Sequence, residues 1–281
     1  MPRRLLLVAL AAALLGVLLA APSALADTFT PESGGSPNAD DIDTLYKITL
    51  YVAIVIFLIV EGTLIWSLVR FRHRRSSPDG AQIRGNTPLE VGWTLAAALI
   101  LVVLTVVTFV YLDDIENPPE SGPDGLQASQ TRFASVDQPA PPSGRPYLRI
   151  KVNGQQYLWR YVYPGKRTLF SYYTLVVPVD TTVVLDITAS DVIHSWWIPK
   201  LGGKADAVPG YTNKTWFRVE KPGTYVGACA ELCGENHADM RNRVIAVSPE
   251  EYRAWLTKQA TDIKAAQTGL AASRKTRGDS Q

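Results

Sequence analysis

Two long apolar runs, residues 45–69 and 93–112, restrict this chain more than any other feature. Each is long enough for a helix across a bilayer core of about 30 Å, which takes roughly 20 residues. Lys47 and Glu61 are the strongly ionisable residues of the first run. Between the runs lies Arg70-Phe71-Arg72-His73-Arg74-Arg75, whereas Asp113 and Asp114 follow the second. Basic loops stay on the cytoplasmic side, so loop 70–92 is expected inside and both outer ends outside. His73 then reads as a solvated member of that loop. The chain is expected to be a two-pass protein of the cell (plasma) membrane, its N-terminus and C-terminal domain both on the exported side.

The segment before the hairpin fits that orientation. Residues 1–26 carry Arg3 and Arg4, an apolar stretch, and Ala24-Leu25-Ala26 before Asp27, the order of a secretory signal peptide. A retained third span is the alternative. Residues 27–44, rich in Ser, Gly, Pro and Asp, read as a short exported arm. A net charge of +2 gives no reason to expect nucleic acid as a partner.

Residues 113–146 are rich in Pro and Gly and poor in large apolar side chains, so a mobile linker or surface insertion is expected. From residue 147 onward, β-type runs at 147–152, 157–163, 175–179, 182–187, 215–219, 224–227 and 243–247 are separated by turn residues such as Asn153-Gly154 and Pro164-Gly165. Short strands at this density predict an antiparallel sandwich or barrel. Ser248-Pro249-Glu250-Glu251 is a capping box that opens a helix with Tyr252, Trp255 and Leu256 on its apolar stripe. The domain is expected to span 147–263, with a disordered tail at 264–281.

The chain has two cysteines, and both lie in Cys229-Ala-Glu-Leu-Cys233-Gly-Glu-Asn-His237-Ala-Asp-Met240. Two thiolates, an imidazole and a thioether make a soft-to-borderline donor set suited to copper. The i, i+4, i+8, i+11 spacing would also give one face of a helix. Strand-like flanks and Gly234-Glu235-Asn236 in the middle favour a loop instead. A Cys229–Cys233 disulfide would close too small a ring to gain much loop entropy and would leave His237 and Met240 unexplained. A zinc site would have no use for the methionine. A single blue-copper centre would have one thiolate too many. Two thiolates can instead bridge two coppers, each with its own imidazole, the second being His194 of Asp191-Val-Ile-His194-Ser-Trp196-Trp197. Glu90, just before the second span, reads equally as a functional acid near the membrane and as an acid favoured by a helix N-terminus.

With these residues in view, the chain resembles subunit II of haem-copper cytochrome c oxidases over nearly all its length after the signal. The resemblance rests on the motif from Cys229 to Met240, on Asp191 to Trp196, on Leu201-Gly-Gly-Lys204-Ala-Asp206-Ala-Val-Pro209-Gly210, and on Asn86-Thr-Pro-Leu-Glu90-Val-Gly-Trp93. It implies a membrane-anchored all-β protein, with a two-helix hairpin followed by an exported cupredoxin-like β-sandwich. It also implies a dinuclear CuA centre that takes electrons from cytochrome c and passes them to haem in subunit I, where oxygen is reduced and protons are pumped. Catalytic oxygen chemistry would then lie outside this chain. Further partners would be the other oxidase subunits.

Carried over by position, the copper ligands would be His194, Cys229, Cys233, His237, Met240 and the backbone carbonyl of Glu231. The Glu231 side chain would face a magnesium ion shared with subunit I. Glu90 would stand at the entrance of a proton channel. Asp191 would belong to the donor docking surface, with Glu235 and Asp239 joining it where exposed. The family pattern Gly-x-Gln-Trp-x-Trp for electron uptake here reads Gly154-Gln-Gln156-Tyr157-Leu158-Trp159, with tyrosine for the first tryptophan. Tyr157 and Trp159 are the aromatics expected in that role. The rivals are a quinol oxidase subunit II, which lacks the copper ligands, the copper domain of nitrous oxide reductase, which lacks this anchor, and a membrane-tethered copper carrier.

Overall fold

The computed structural model describes residues 30–72, 82–122, 147–165 and 169–276. The signal expected at 1–26, His73 and most of the expected linker lie outside the described residues. The chain divides into two compact units, one of residues 43–113 and one of residues 1–42 and 114–281.

The first unit holds most of two helices, α1 (Pro37–Arg70) and α2 (Thr87–Glu116). Both are long and apolar enough to cross a membrane, and their most apolar stretches bury nothing against protein. An all-round apolar helix with no protein cover needs a lipid environment. Both helices run past the apolar runs that signal them, because capping and polar turns extend a helix at little cost. At the start of α2 the Asn86 side chain accepts the Leu89 N–H at 3.2 Å. The Glu90 carboxylate accepts the Asn86 N–H at 3.2 Å. Two of the orphan donors at that helix end are thereby satisfied.

The second unit is a β-sandwich. Its strands are β1 (Leu148–Gln155), β2 (Leu158–Tyr163), β3 (Leu169–Tyr172), β4 (Thr174–Pro178), β5 (Thr182–Ala189), β6 (His194–Trp196), β7 (Ala205–Ala207), β8 (Asn213–Arg218), β9 (Gly223–Ala228) and β10 (Arg241–Val247). One sheet has the order β3-β2-β1-β5-β8, the second β4-β10-β9, and β6 pairs with β7. Period-2 burial puts Ile150, Val152, Leu185 and Ile187 of the large sheet against Leu175, Val177 and Val244 of the small one. Fully burying side chains of this kind contributes about 1.5–3 kcal/mol each relative to leaving them exposed.

Two pairings depart from a purely antiparallel sandwich, since β1 runs parallel to β5 and β4 parallel to β10. Strand composition cannot encode such a choice, because long connections bring these partners together. Arg149 of β1 forks onto Asp186 of β5, with Nη2 to Oδ1 at 2.6 Å, which pins one of the parallel pairs.

The beginning of the expected linker is ordered. Thr182 donates its N–H to Ser121 Oγ at 2.9 Å and its hydroxyl to the Pro119 carbonyl at 2.7 Å. Gly122 N–H bonds the Asp180 carbonyl at 2.8 Å. Sequence composition misses this because backbone groups carry the attachment. The segment expected to be an exported arm is likewise fastened, through Asn38 to the Trp216 carbonyl at 2.9 Å and Arg218 N–H to Ser36 Oγ at 3.1 Å.

Helix α3 (Pro249–Thr276) starts with the expected capping box: Ser248 N–H to Glu251 Oε2 at 2.9 Å and Glu251 N–H to Ser248 Oγ at 3.2 Å. Tyr252 is buried, and Trp255 packs 5.0 Å from the Tyr163 ring. The tail expected to be disordered from residue 264 is helical through Thr276. Ala, Lys, Gln, Leu and Arg dominate there and favour a helix even where little is buried.

Hydrogen bonds from the Ser248 backbone and hydroxyl hold the Glu251 carboxyl below its ordinary range. Stability from this contact is therefore present above the unfolded pKa of about 4.3 and lost as pH falls through the lowered folded value. Ser248→Ala is expected to cost about 1 kcal/mol, read by chemical denaturation, with the difference from wild type shrinking in acid below pH ~4.

Candidate metal centre

The residues from Cys229 to Met240 form a loop between β9 and β10 rather than a helical face. Cys229 N–H bonds the Met240 carbonyl at 2.9 Å and closes the loop at its neck. Ala230 N–H bonds the Ser195 carbonyl at 2.9 Å, tying the loop to β6. His194, the first residue of β6, is thereby brought beside Cys229, 35 residues away in sequence.

Five side chains and one carbonyl converge. Cys229 Sγ stands 3.9 Å from Cys233 Sγ and 3.9 Å from His194 Nδ1. Cys233 Sγ lies 3.6 Å from His237 Nδ1 and 3.8 Å from Met240 Sδ. The Glu231 carbonyl oxygen is 3.3 Å from Cys229 Sγ. His194, Cys229, Cys233 and Met240 are buried, while His237 is half-buried. The two cysteines are free thiols, and their separation far exceeds a disulfide bond of about 2.05 Å. Each sulfur therefore has an imidazole nitrogen at hand, and the pair faces a shared space.

Protein groups alone do not favour a thiolate at Cys233. Burial first, and then the neighbouring Cys229, push the Cys233 thiol up to about 11. A bound cation would reverse that balance by replacing the thiol protons. The donor set of two sulfurs, two imidazoles and a thioether is that of a copper site rather than a hard-cation site.

The large sheet supplies the back wall. Gly154 belongs to β1, paired with Trp159 of β2, and is not the turn that Asn153-Gly154 suggested. A Cβ at Gly154 would come within 2.9 Å of His194 Cδ2, so the glycine makes room for the ring. Trp159 is fully buried and meets the His194 ring edge-on, with centroids 5.9 Å apart. Tyr157 is half-buried, and its hydroxyl would lie 2.6 Å from a Cβ placed at Gly234, where φ is +130°. Of the two aromatics expected at the electron port, Tyr157 thus reaches the surface and Trp159 stays inside.

Burial opposes ionisation of Asp191, but hydrogen bonds from Gln156 N–H, His194 and Val192 N–H outweigh it and hold the carboxyl below its usual range. Glu231, Glu235 and Asp239 are exposed around the loop. Glu90 belongs to the other unit and is engaged in the α2 cap described above. Gly154 and Gln156 stand in the electron-uptake pattern, but that pattern does not name the contacts they make here, Gly154 with the His194 ring and Gln156 with the Cys233 carbonyl.

Residues 24–110 match the cytochrome c oxidase subunit II transmembrane domain and residues 165–247 its periplasmic domain. A probable cytochrome c oxidase subunit 2 of Rickettsia bellii is 34% identical over 244 residues, covering 80% of this chain and 81% of that protein. The chain belongs to the cytochrome c oxidase subunit II family. A Synechocystis subunit 2 is 34% identical over 253 residues, 80% of this chain and 74% of the relative. The subunit 2 of Cereibacter sphaeroides is 30% identical over 270 residues, 80% of each. The crystal structure of the periplasmic domain of subunit II from Bradyrhizobium japonicum is 33% identical and covers 41% of this chain and 94% of that one, with a TM-score of 0.40. As a member of this family the chain is part of an oxidoreductase complex, anchored by two transmembrane helices with its C-terminal domain exported.

If Gly154 makes room for the His194 ring, Gly154→Ala should displace the ring and lower copper retained per chain by about tenfold. Gly223→Ala, whose added Cβ meets ordinary contacts beyond 3.7 Å, should leave retention unchanged. Copper analysis after dialysis against a chelator checks both.

Proposed function

We propose that this chain is the electron-accepting subunit II of a plasma-membrane respiratory oxidase, taking electrons from cytochrome c at a dinuclear copper centre. The observation that carries the reading is the pair of cysteine sulfurs, each faced by its own histidine nitrogen, with Met240 and the Glu231 carbonyl completing the donors. His194, Cys229, Glu231 through its carbonyl, Cys233, His237 and Met240 would hold the metals. Bound there, two coppers supply a one-electron store shared over both metals.

The protein's own contribution is rigidity. Cys229 and Cys233 are buried, the loop neck is closed by the Cys229 N–H bond to the Met240 carbonyl, and Trp159 and Gly154 back the His194 ring. A donor set that cannot rearrange keeps the structural cost of gaining or losing an electron small. The half-buried Tyr157 against Gly234 supports a role for the β1–β2 turn as the port where electrons arrive, with Trp159 behind it. The carboxylates of Asp191, Glu235 and Asp239 offer an acidic rim to a basic cytochrome, which raises encounter rate more than affinity.

Two further roles belong to the same reading. The exposed side chain of Glu231, whose carbonyl would ligate copper, suits a hard cation such as magnesium completed by oxygens of subunit I. Glu90 is proposed as a proton-channel entrance; its exposure near the first turn of an apolar helix supports this.

Copper analysis and electron paramagnetic resonance on the detergent-solubilised full chain test the central reading. Two coppers and a mixed-valence signal with the electron shared over both are expected. One copper, or none, refutes it. Cys229→Ser is expected to abolish that signal while circular dichroism shows the β-sandwich intact, because the fold does not depend on a disulfide.

A further inference from the structure

The ring of His194 is held from its far side. Its Nδ1 faces Cys229 Sγ at 3.9 Å, and its Nε2 lies 2.9 Å from Asp191 Oδ1. An imidazole that gives a lone pair through Nδ1 must carry its proton on Nε2, and a carboxylate on that nitrogen fixes both tautomer and ring orientation. Asp191 Oδ1 also accepts the Val192 N–H at 2.7 Å. Its Oδ2 accepts the Gln156 N–H at 2.7 Å.

Gln156 continues the connection. Its side-chain amide donates to the Cys233 carbonyl at 2.6 Å. Gly234 follows directly, and a Cβ there would come within 2.9 Å of Gln156 Nε2, so this glycine lets the β1–β2 turn seat on the ligand loop. Hydrogen bonds thus run from His194 through Asp191 and Gln156 to the Cys233 end of the loop. They join the β1–β2 turn and the segment before β6 to the ligand loop, which shares no strand ladder with either.

We propose that Asp191 is a positioning residue that fixes the His194 ring and, through Gln156, couples it to the Cys233 end of the copper loop. This rests on the copper reading above. A docking role by itself calls for a charge at the surface. Asp191 does keep part of its side chain exposed, at 32%. Docking does not call for both carboxylate oxygens to be engaged by three groups of the same domain. The arrangement is that of a carboxylate–histidine–metal relay, in which the outer partner sets ligand basicity as well as direction.

The test uses the assembled, copper-loaded oxidase complex with Asp191→Ala, Asp191→Asn and Gln156→Ala. Asn keeps an oxygen for the His194 N–H but carries no charge, so it separates positioning from docking. Asp191→Ala is expected to lose copper to a chelator about tenfold faster or more, with shifted visible and near-infrared bands and a changed reduction potential. Asp191→Asn is expected to recover most of the retention, and Gln156→Ala to shift the bands in the same direction as Asp191→Ala. Wild-type bands and wild-type chelator resistance in Asp191→Ala, with a salt-dependent loss of donor rate equal in both Asp191 variants, overturn the proposal. Should Asp191→Ala fail to assemble, wild-type bands and retention in Gln156→Ala overturn it instead. A wild-type complex without copper at this site overturns the metal reading itself, and this proposal with it.

Discussion

The hydrogen bond from Cys229 N–H to the Met240 carbonyl closes the neck of the ligand loop, and most of the site depends on it. It continues the β9–β10 ladder by one more rung, beyond the pairing of Arg241 with Ala228. The two outermost donors of the loop therefore inherit the rigidity of a sheet. Everything between them has to double back within the loop, which Gly234 at φ +130° and the turn of His237 N–H onto the Gly234 carbonyl allow. An L side chain at such a φ would be strained. The loop is thus a short excursion from a β-ladder, with its chemistry at the point where the ladder stops.

The large sheet approaches this loop from behind. Val152, Trp159, Tyr161 and Ile187 are fully buried, as are His194 and Met240, and the Trp159 ring meets His194 edge-on. Tyr161 accepts the Trp196 indole N–H at 3.2 Å, so β2 and β6 are joined by a polar contact inside an otherwise apolar core. Packed interiors transmit displacement because they leave few voids. A change of volume at Trp159 is consequently felt at His194, although neither the tryptophan nor its strand carries a donor atom. Core and site are one packing problem here.

Much of this was legible in the residues. The two apolar runs, the Ser248–Glu251 cap and the loop between two β-type runs each have a local signature, and local signatures survive folding. His194 was legible through chemistry, since two thiolates and one imidazole called for a second nitrogen. The short strands β3, β6 and β7 were not seen, because three or four residues carry too little periodicity to stand out. The parallel pairs escaped for a different reason: a strand's composition records how buried it is and not which neighbour it meets. Gln156 was visible as part of the electron-uptake pattern, but its bond to the Cys233 carbonyl was not, because that depends on where its amide ends up. Asp191 was visible as a charge, but its hydrogen bonds to Gln156 and His194 depend on a fold that brings positions 156 and 191 together.

The outer edge of β9 is covered near the loop by the Ser195–Trp197 segment. Ala228 N–H bonds the Trp197 carbonyl at 3.3 Å, and a Cβ at Gly227 would sit 2.0 Å from that carbonyl oxygen. An uncovered edge invites another strand to add on. Here the backbone groups beside the loop are already spent on the chain's own residues. Whatever approaches that part of the domain meets side chains: the carboxylates of Glu231 and Glu235, the exposed Leu232, and the flank of Trp197 under Lys204. Contact there is governed by charge and shape, which can be made and released quickly, and not by a shared β-ladder, which would hold on.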